Sequence, residues 1–220
     1  MQDTDMNPQI PDDKEDYHRI FRKRIFRLLK WGYDRLDASI CRTAEEEDIT
    51  GDLVKEINEI TQDRTYPRWV ANFYIVEDPR VNVDNRKGKR RKKIDIQFIR
   101  VQPGPRPCYY FEAKRLSAST HPIGKYLGPE GLGEFLSGSY GRETNEAGML
   151  GYIQSHTAEY WAEKARSKLL NEPDDYQVDA DEYWIEKKII KELNHCYSSK
   201  HQRTIGKSPI AIFHCFLVFI

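Results

Sequence analysis

Two short apolar runs, joined by a turn-forming segment, constrain the fold of this chain most. IDIQFIR (residues 94–100) and CYYFEAKRL (residues 108–116) have strand length and are rich in β-branched and aromatic residues. The intervening VQPGPRP contains enough proline and glycine to reverse the chain, which predicts an antiparallel pair. Because side chains alternate along a strand, Glu112 and Lys114 share one face, and Asp95 can lie beside Glu112.

These three charged residues form a set with a specific chemistry. Two carboxylates that converge on one point provide hard oxygen ligands suited to Mg²⁺ or Mn²⁺. A metal there can lower the pKa of a bound water and neutralise charge on a phosphoryl oxygen. A neighbouring lysine can orient that water and stabilise the transition state. Asp95, Glu112 and Lys114 are therefore the candidate catalytic residues.

An acid, a loop and then acid-x-lysine on the next strand resembles the PD-(D/E)xK nuclease superfamily, to which restriction endonucleases belong. The matching positions are Asp95, Glu112 and Lys114, and Ile94 stands where the family motif has a proline. The resemblance covers about residues 45–153. It implies an α/β fold with a restriction endonuclease-like core, in which helices flank a mixed central β-sheet.

The resemblance also implies a function. We expect a Mg²⁺-dependent or Mn²⁺-dependent endonuclease that hydrolyses phosphodiester bonds, with DNA as its substrate and restriction or anti-phage defence as its role. Such a protein would act as a homodimer or with a partner protein of a defence system. Two alternatives stay open: an inactive nuclease-like module that binds nucleic acid or a partner, and an RNA nuclease or toxin-like component. The complete set of two acids and a lysine favours an enzyme, because a binding module has no need for paired acids beside phosphate.

A further acid is implied on the helix that precedes the core sheet, because in this superfamily a glutamate there commonly approaches the metal. The apolar stripe of residues 45–61 predicts that helix. We expect Glu47, near the edge of the stripe, to be catalytic and to bind the metal together with Asp95 and Glu112. The acids Glu46, Asp52 and Glu56 are further candidates for this role. It also stays open that the acids in the first turn only stabilise the helix through its dipole and bind no metal.

A run of basic residues from Arg86 to Lys93 comes directly before Asp95. Its position predicts contact with the phosphates of a nucleic acid held near the metal. The alternative is a solvated loop, since charge runs are usually exposed. The predicted nucleic-acid-binding residues are Lys89, Arg90, Arg91, Lys92 and Lys93.

Length and composition predict a single domain without a membrane-spanning segment. A chain of 220 residues can form a single domain, and its 35 basic and 35 acidic residues balance. No apolar run approaches the ~20 residues that span a bilayer, and the polar N-terminus does not resemble a signal peptide, so we expect a cytoplasmic protein. We expect a disordered tail over residues 1–15 and one nuclease-like domain over residues 16–220, which opens with a long amphipathic helix over residues 16–40.

The second half of the chain is predicted mainly from its periodicity. A glycine-rich stretch over residues 124–151 is either a wall of the site or a structural loop without a dense core. The spacing of apolar residues predicts helices over residues 146–170 and 182–202, and SPIAIFHCFLVFI (residues 208–220) predicts a buried strand. The four cysteines contain no CxxC pair, which argues against a structural zinc site.

Overall fold

The computed structural model describes residues 13–81, 88–101, 106–179 and 181–220. Within these ranges the chain forms one mixed β-sheet flanked by helices, and it opens with a long helix. The α/β class and the mixed, helix-flanked sheet are therefore confirmed. Residues 1–12 of the predicted tail lie outside the described residues, whereas residues 13–15 already belong to the first helix.

The described strands form a single seven-stranded sheet. They are β1 (Phe73–Glu77), β2 (Ile96–Arg100), β3 (Cys108–Leu116), β4 (Glu146–Ile153), β5 (Ile185–Glu186), β6 (Cys196–His201) and β7 (Ile210–Val218). Their spatial order is β1-β2-β3-β4-β7-β6-β5. The central strands β3, β4 and β7 are parallel, and all other neighbours pair antiparallel.

Helices cover both faces of this sheet. They are α1 (Asp13–Tyr33), α2 (Ala38–Cys41), α3 (Glu46–Gln62), α4 (Ile123–Tyr126), α5 (Leu132–Leu136), α6 (Ala158–Asn171) and α7 (Pro173–Tyr176). Two 3₁₀-helices span Arg68–Asn72 and Gly88–Arg90. The apolar stripes of α1 and α3 bury one face of the sheet, while α4, α5 and α6 bury the other. None of the described helices is both long and apolar enough to cross a bilayer.

The predicted helix over residues 146–170 is wrong in its first part, because residues 146–153 form the central strand β4. This strand is parallel to both of its neighbours and is buried on both faces, so its sequence is nearly continuous in apolar residues and resembles a buried helix. A Cβ atom at Gly148 would lie 2.1 Å from the ring of Phe111, and one at Gly151 would lie 2.5 Å from the ring of Phe216. The two glycines thus allow side chains of the neighbouring strands to cross β4 closely.

The predicted helix over residues 182–202 is also wrong. The segment forms β5 and β6, and the residues between them follow an irregular path. Ile189, Ile190 and Leu193 are buried in that path against the same core as α1. These three residues have the spacing of a helical stripe because all three are buried in the core, although the segment that contains them is not a helix.

The glycine-rich stretch contributes more to the core than expected. It contains α4 and α5, and Tyr126, Leu127, Leu132 and Phe135 are buried there. The predicted N-terminal helix ends at Tyr33 rather than near residue 40, and α2 follows as a separate turn that Asp37 caps. The buried C-terminal strand is confirmed as β7. All four cysteines are free thiols, and three of them are buried.

Candidate functional site

The pairing of β2 with β3 determines the geometry of the candidate site. The two strands are antiparallel, with Ile96 opposite Phe111, so the predicted hairpin arrangement is confirmed. Asp95 immediately precedes β2, which places it opposite Glu112. Strand β3 continues beyond the last residue that β2 pairs, and its backbone N–H groups on that side need other partners.

Two carboxylates accept these free N–H groups. The Asp95 Oδ2 atom accepts a hydrogen bond of 2.6 Å from the backbone N–H of Ala113. The Glu46 Oε2 atom accepts one of 2.8 Å from the backbone N–H of Arg115. Both acids therefore continue the hydrogen-bond ladder of β3 where the strand β2 is missing, and this fixes their positions at the edge of β3.

The Lys114 ammonium joins these acids into one cluster. Its Nζ atom lies 2.8 Å from Glu112 Oε1, 2.9 Å from Glu46 Oε1 and 3.9 Å from Asp95 Oδ2. It also donates a hydrogen bond of 2.7 Å to the carbonyl oxygen of Ala113. We call Asp95, Glu112, Lys114 and Glu46 the carboxylate cluster.

The carboxylate cluster is buried, and its single lysine does not balance its three acids. The Glu112 side chain is only 5% exposed, and its Oε2 atom has no hydrogen-bond partner within the described part of the chain. Burial and then the neighbouring Asp95 charge raise the pKa of Glu112 to about 9. Burial likewise raises the pKa of Asp95 to about 6, although Lys114 and the Ala113 N–H oppose the shift. Burial alone would lower the pKa of Lys114, but the three acids outweigh it and raise that pKa.

The structure places Glu46, rather than the expected Glu47, in this cluster. Glu47 is exposed, and no described hydrogen bond or ion pair connects it to Asp95, Glu112 or Lys114. Two further acids of α3 also have different surroundings, since Asp52 is exposed and the Glu56 carboxylate lies 3.5 Å from the Arg35 guanidinium.

Helical periodicity contains the signal for Glu46. The buried stripe of α3 includes Ile49, Thr50 and Leu53, which lie three, four and seven positions after Glu46. Glu47 lies two positions before Ile49, which is about 200° around the helix. The acid that continues the buried stripe is therefore Glu46. Closeness to Ile49 in the sequence pointed to Glu47 instead, which lies on a different side of the helix.

A cleft of about 510 Å³ opens beside Lys114. Its walls come from the start of α3, the end of β3 and the α4 region. Charged groups of both signs line it: Glu45, Glu46, Glu47, Glu130, Lys114, Arg115, His121 and Lys125. The Arg115 guanidinium contacts the Glu45 carboxylate and lies 3.2 Å from His121 Nε2. Burial, together with the charges of Arg115 and Lys125, lowers the pKa of His121.

The predicted basic run is only partly available for a ligand. Lys92 Nζ lies 2.6 Å and 2.5 Å from the two carboxylate oxygens of Glu134, and Lys93 forms an ion pair with Asp78. Lys89 and Arg90 are exposed, and Arg91 is half-buried. Arg86 and the following Lys87 lie outside the described residues. The structure thus neutralises two lysines of the basic run.

Among the described residues, no three His, Cys, Asp or Glu side chains are arranged to hold a metal ion. Lys114 instead lies between the carboxylates that the sequence assigns to a metal. The donor set is nevertheless of the right type, because it offers carboxylate oxygens and one of them, Glu112 Oε2, is buried without a partner.

The chain matches no protein-family model, no curated protein and no solved structure. The resemblance to PD-(D/E)xK nucleases therefore depends on the order of the elements and on the residues of the carboxylate cluster alone.

Proposed function

We propose that the protein is a metal-dependent nuclease that hydrolyses phosphodiester bonds, with DNA as the substrate. The observation that carries this proposal is the convergence of Asp95, Glu112 and Glu46 on Lys114, with Glu112 Oε2 buried and without a partner. Residues that serve only the fold are normally paired when they are buried. A buried carboxylate oxygen that lacks a partner is typical of a site that completes itself with a ligand.

A divalent cation fits this cluster by charge and by ligand type. Asp95, Glu112 and Glu46 would hold Mg²⁺ or Mn²⁺, both of which prefer carboxylate oxygens. The raised pKa values of Asp95 and Glu112 reflect burial without sufficient positive charge nearby. When bound, the metal would supply a water of lowered pKa and would neutralise charge on the phosphoryl oxygen.

Lys114 would contribute directly to the reaction. Its ammonium is held by the carboxylates and has a raised pKa, so it remains protonated at neutral pH. A fixed positive charge beside the scissile phosphate stabilises the negative charge that builds up in the transition state. The cleft beside Lys114 gives the substrate access to this amine.

One observation favours a second candidate, a module that binds nucleic acid without cutting it. Lys114 already forms ion pairs with Glu112 and Glu46, and the described residues contain no ready group of three metal ligands. If the lysine permanently takes the place of the cation, the cluster is structural. Metal-dependent cleavage distinguishes the two candidates, because the binding module predicts none.

The test is a digestion assay on the purified protein. Supercoiled DNA, linear duplex DNA, single-stranded DNA and RNA are each incubated with Mg²⁺, Mn²⁺ or EDTA. We expect cleavage of DNA with either metal and none with EDTA. Asp95→Asn, purified in the same way, controls for contaminating nucleases and should be inactive. Binding of DNA without cleavage under every metal condition would favour the binding module, and cleavage of RNA alone would reassign the substrate.

A further inference from the structure

A second concave surface lies between helix α1 and the segment that joins β5 to β6. It consists of two adjoining depressions of about 430 Å³ and 240 Å³, which share Lys23, Lys187, Lys188 and Ile189. Helix α1 forms one wall, and residues 187–195 form the other. We call this surface the basic cleft.

Two rows of cations line the basic cleft. Arg19, Lys23 and Arg27 follow each other at intervals of four along α1, so they form one row of about 12 Å on a single side of the helix. Lys187, Lys188 and Lys191 lie on the facing wall. Arg22 of α1 also lines the cleft, but it is paired with Glu146. The carboxylates nearby are fewer than the cations: Glu186 lines the cleft, and Asp16, Glu146, Glu159 and Glu192 contact Arg19, Arg22, His195 and Arg27.

Most of these cations are available to a ligand. Within the described ranges, no ion pair involves Lys23, Lys187, Lys188 or Lys191. The remaining two cations of these rows form exposed pairs, since Arg19 lies 2.7 Å from Asp16 and Arg27 lies 3.6 Å from Glu192. Exposed pairs of this kind contribute little to stability, so a phosphate can replace the carboxylate.

The positive charge of the basic cleft does not reflect an excess of basic residues in the chain. The chain as a whole is neutral, with equal numbers of basic and acidic residues. In the sequence-predicted basic run, Lys92 and Lys93 are paired with carboxylates. The basic cleft therefore has more unpaired lysines than the run that the sequence singled out.

The basic cleft is separate from the carboxylate cluster. It borders β6 and β7 through Cys196 and Phe213, whereas the cluster consists of two residues of β3, the residue before β2 and Glu46 at the start of α3. Strand β4 lies between these two parts of the sheet. A ligand in the basic cleft is therefore away from the reacting phosphate and would anchor the substrate rather than take part in the chemistry.

We propose that the basic cleft binds the sugar-phosphate backbone of duplex DNA at a position remote from the bond that is cut. The proposal rests on the proposed function for its choice of polyanion. Two facing rows of lysine and arginine cations suit a continuous row of phosphates, and contacts to phosphates imply sequence-independent binding.

The experiment measures the binding of a fluorescent 40-base-pair duplex in EDTA, where no cleavage occurs, at several salt concentrations. The variant Lys23→Gln/Lys187→Gln/Lys188→Gln removes three charges from the basic cleft. A matched variant, Lys55→Gln/Lys164→Gln/Lys207→Gln, removes three exposed charges from other surfaces and so makes the same change in net charge. Both variants are first compared with the wild type by circular dichroism and thermal unfolding.

We expect the basic-cleft variant to bind the duplex more weakly than the wild type. Its slope of log affinity against log salt concentration should be shallower by about 2.7, which corresponds to the loss of three phosphate contacts. The matched variant should change this slope by less than about 1. Equal slopes for the two variants, or no binding of duplex by the wild type, would overturn the proposal. Displacement of the duplex by polyglutamate of equal charge concentration, as readily as by unlabelled duplex, would overturn it in favour of an acidic protein partner. Because the assay needs no catalysis, a protein that never cuts DNA can still pass it.

Discussion

The carboxylate cluster and a second buried polar cluster differ in how completely their polar groups are paired. The second cluster, which we call the histidine row, consists of Tyr126, His214, Ser199 and His201, and it connects α4, β7 and β6. In the carboxylate cluster, by contrast, a Glu112 oxygen is buried without a partner among the described residues. Both clusters lie in the same sheet, so burial alone does not distinguish a structural group from a functional one.

The hydrogen bonds of the histidine row define the tautomer of each ring. His201 Nδ1 donates to the carbonyl oxygen of Tyr176 over 2.7 Å, so its Nε2 accepts from Ser199. The Ser199 oxygen in turn accepts from His214 Nε2 over 2.8 Å, and His214 Nδ1 accepts from the Tyr126 hydroxyl over 3.0 Å. Every ring nitrogen has a partner, and burial lowers the pKa of both histidines, so both are neutral at pH 7.

From this difference we expect the histidine row to serve the fold and the carboxylate cluster to serve the proposed function. A fully satisfied network stabilises a unique packing and has no group left for a ligand. A cluster with an orphaned acceptor and raised carboxyl pKa values has lower stability than a paired one and keeps its binding capacity for a ligand. Mutations in the carboxylate cluster should therefore reduce activity without reducing stability. Mutations in the histidine row should reduce stability without reducing the activity of the folded protein.

The largest expected effect is on activity, at Glu112. Glu112→Gln removes the carboxylate but keeps the shape of the side chain, so cleavage should fall by about 10³-fold or more as a metal ligand is lost. The same change removes a buried acid with a raised pKa. We therefore expect the free energy of unfolding in EDTA at pH 8 to stay equal or rise, by up to about 3 kcal/mol.

Single-turnover cleavage and urea unfolding measure the two quantities on one preparation. If Glu112→Gln were both active and strongly destabilised, the cluster would be structural and its comparison with the histidine row would be reversed.

Ser199→Ala should have the opposite result. It leaves the ring nitrogens of His201 and His214 without their partner in a fully buried site. We expect a loss of about 2–4 kcal/mol in the free energy of unfolding, with little change in cleavage by the folded protein. The control is Ser198→Ala, because Ser198 is also buried but forms no described side-chain hydrogen bond. Its loss should stay below about 1 kcal/mol. Equal losses in both variants would show that the row contributes no more than ordinary packing.

Glu46 and Glu47 provide a sharper test within one helix turn. Glu46 accepts from Lys114 and from the Arg115 backbone, whereas Glu47 is exposed. Glu46→Gln should lower the metal affinity or the cleavage rate by about 10–100-fold, the usual effect of losing a group that ligates or orients at a metal site. Glu47→Gln should stay within about 2-fold. Mn²⁺ titration by calorimetry, together with cleavage rates, checks this. A larger effect at Glu47 would restore the assignment expected from the sequence.

The sequence was sufficient to predict which residues of the carboxylate cluster meet on one hairpin. Asp95, Glu112 and Lys114 follow from strand alternation and a reversing loop, and both are local properties. The choice of Glu46 required the phase of α3 against its buried stripe, which the sequence also contains. The pairing of Lys92 with Glu134 joins residues far apart in the chain, and no local pattern predicts it.

The fold beyond the hairpin was harder to predict for a similar reason. Strand β4 is buried on both faces and lost the alternation that identifies an exposed strand. The sequence showed the basic cleft only as the polar side of an amphipathic helix, because its second wall was predicted to be helical. In the structure, residues 187–195 lie beside α1 and form that wall. The predictions for residues 146–153 and 182–202 were thus both wrong because long-range contacts determine the structure of these segments.

The smallest expected effect is the pH dependence of stability in EDTA, where the two clusters should have opposite signs. The pKa of Glu112 is about 9 in the folded protein and about 4.5 when unfolded, so between these values only the folded state holds the proton. Stability from this group is therefore present at low pH and falls as pH rises toward 9. The pKa of His201 is lowered to about 4, so its contribution is present above about pH 6.5 and falls as pH decreases toward 4. We expect the free energy of unfolding of the wild type to fall by about 1–3 kcal/mol between pH 6.5 and pH 9, the usual cost of an unpaired buried polar group.

Urea unfolding across this pH range measures the loss. Glu112→Gln should remove most of the loss, and saturating Mn²⁺ should reduce it in the wild type only. A wild-type profile that stays flat up to pH 9 would show that Glu112 is already charged and compensated without a metal.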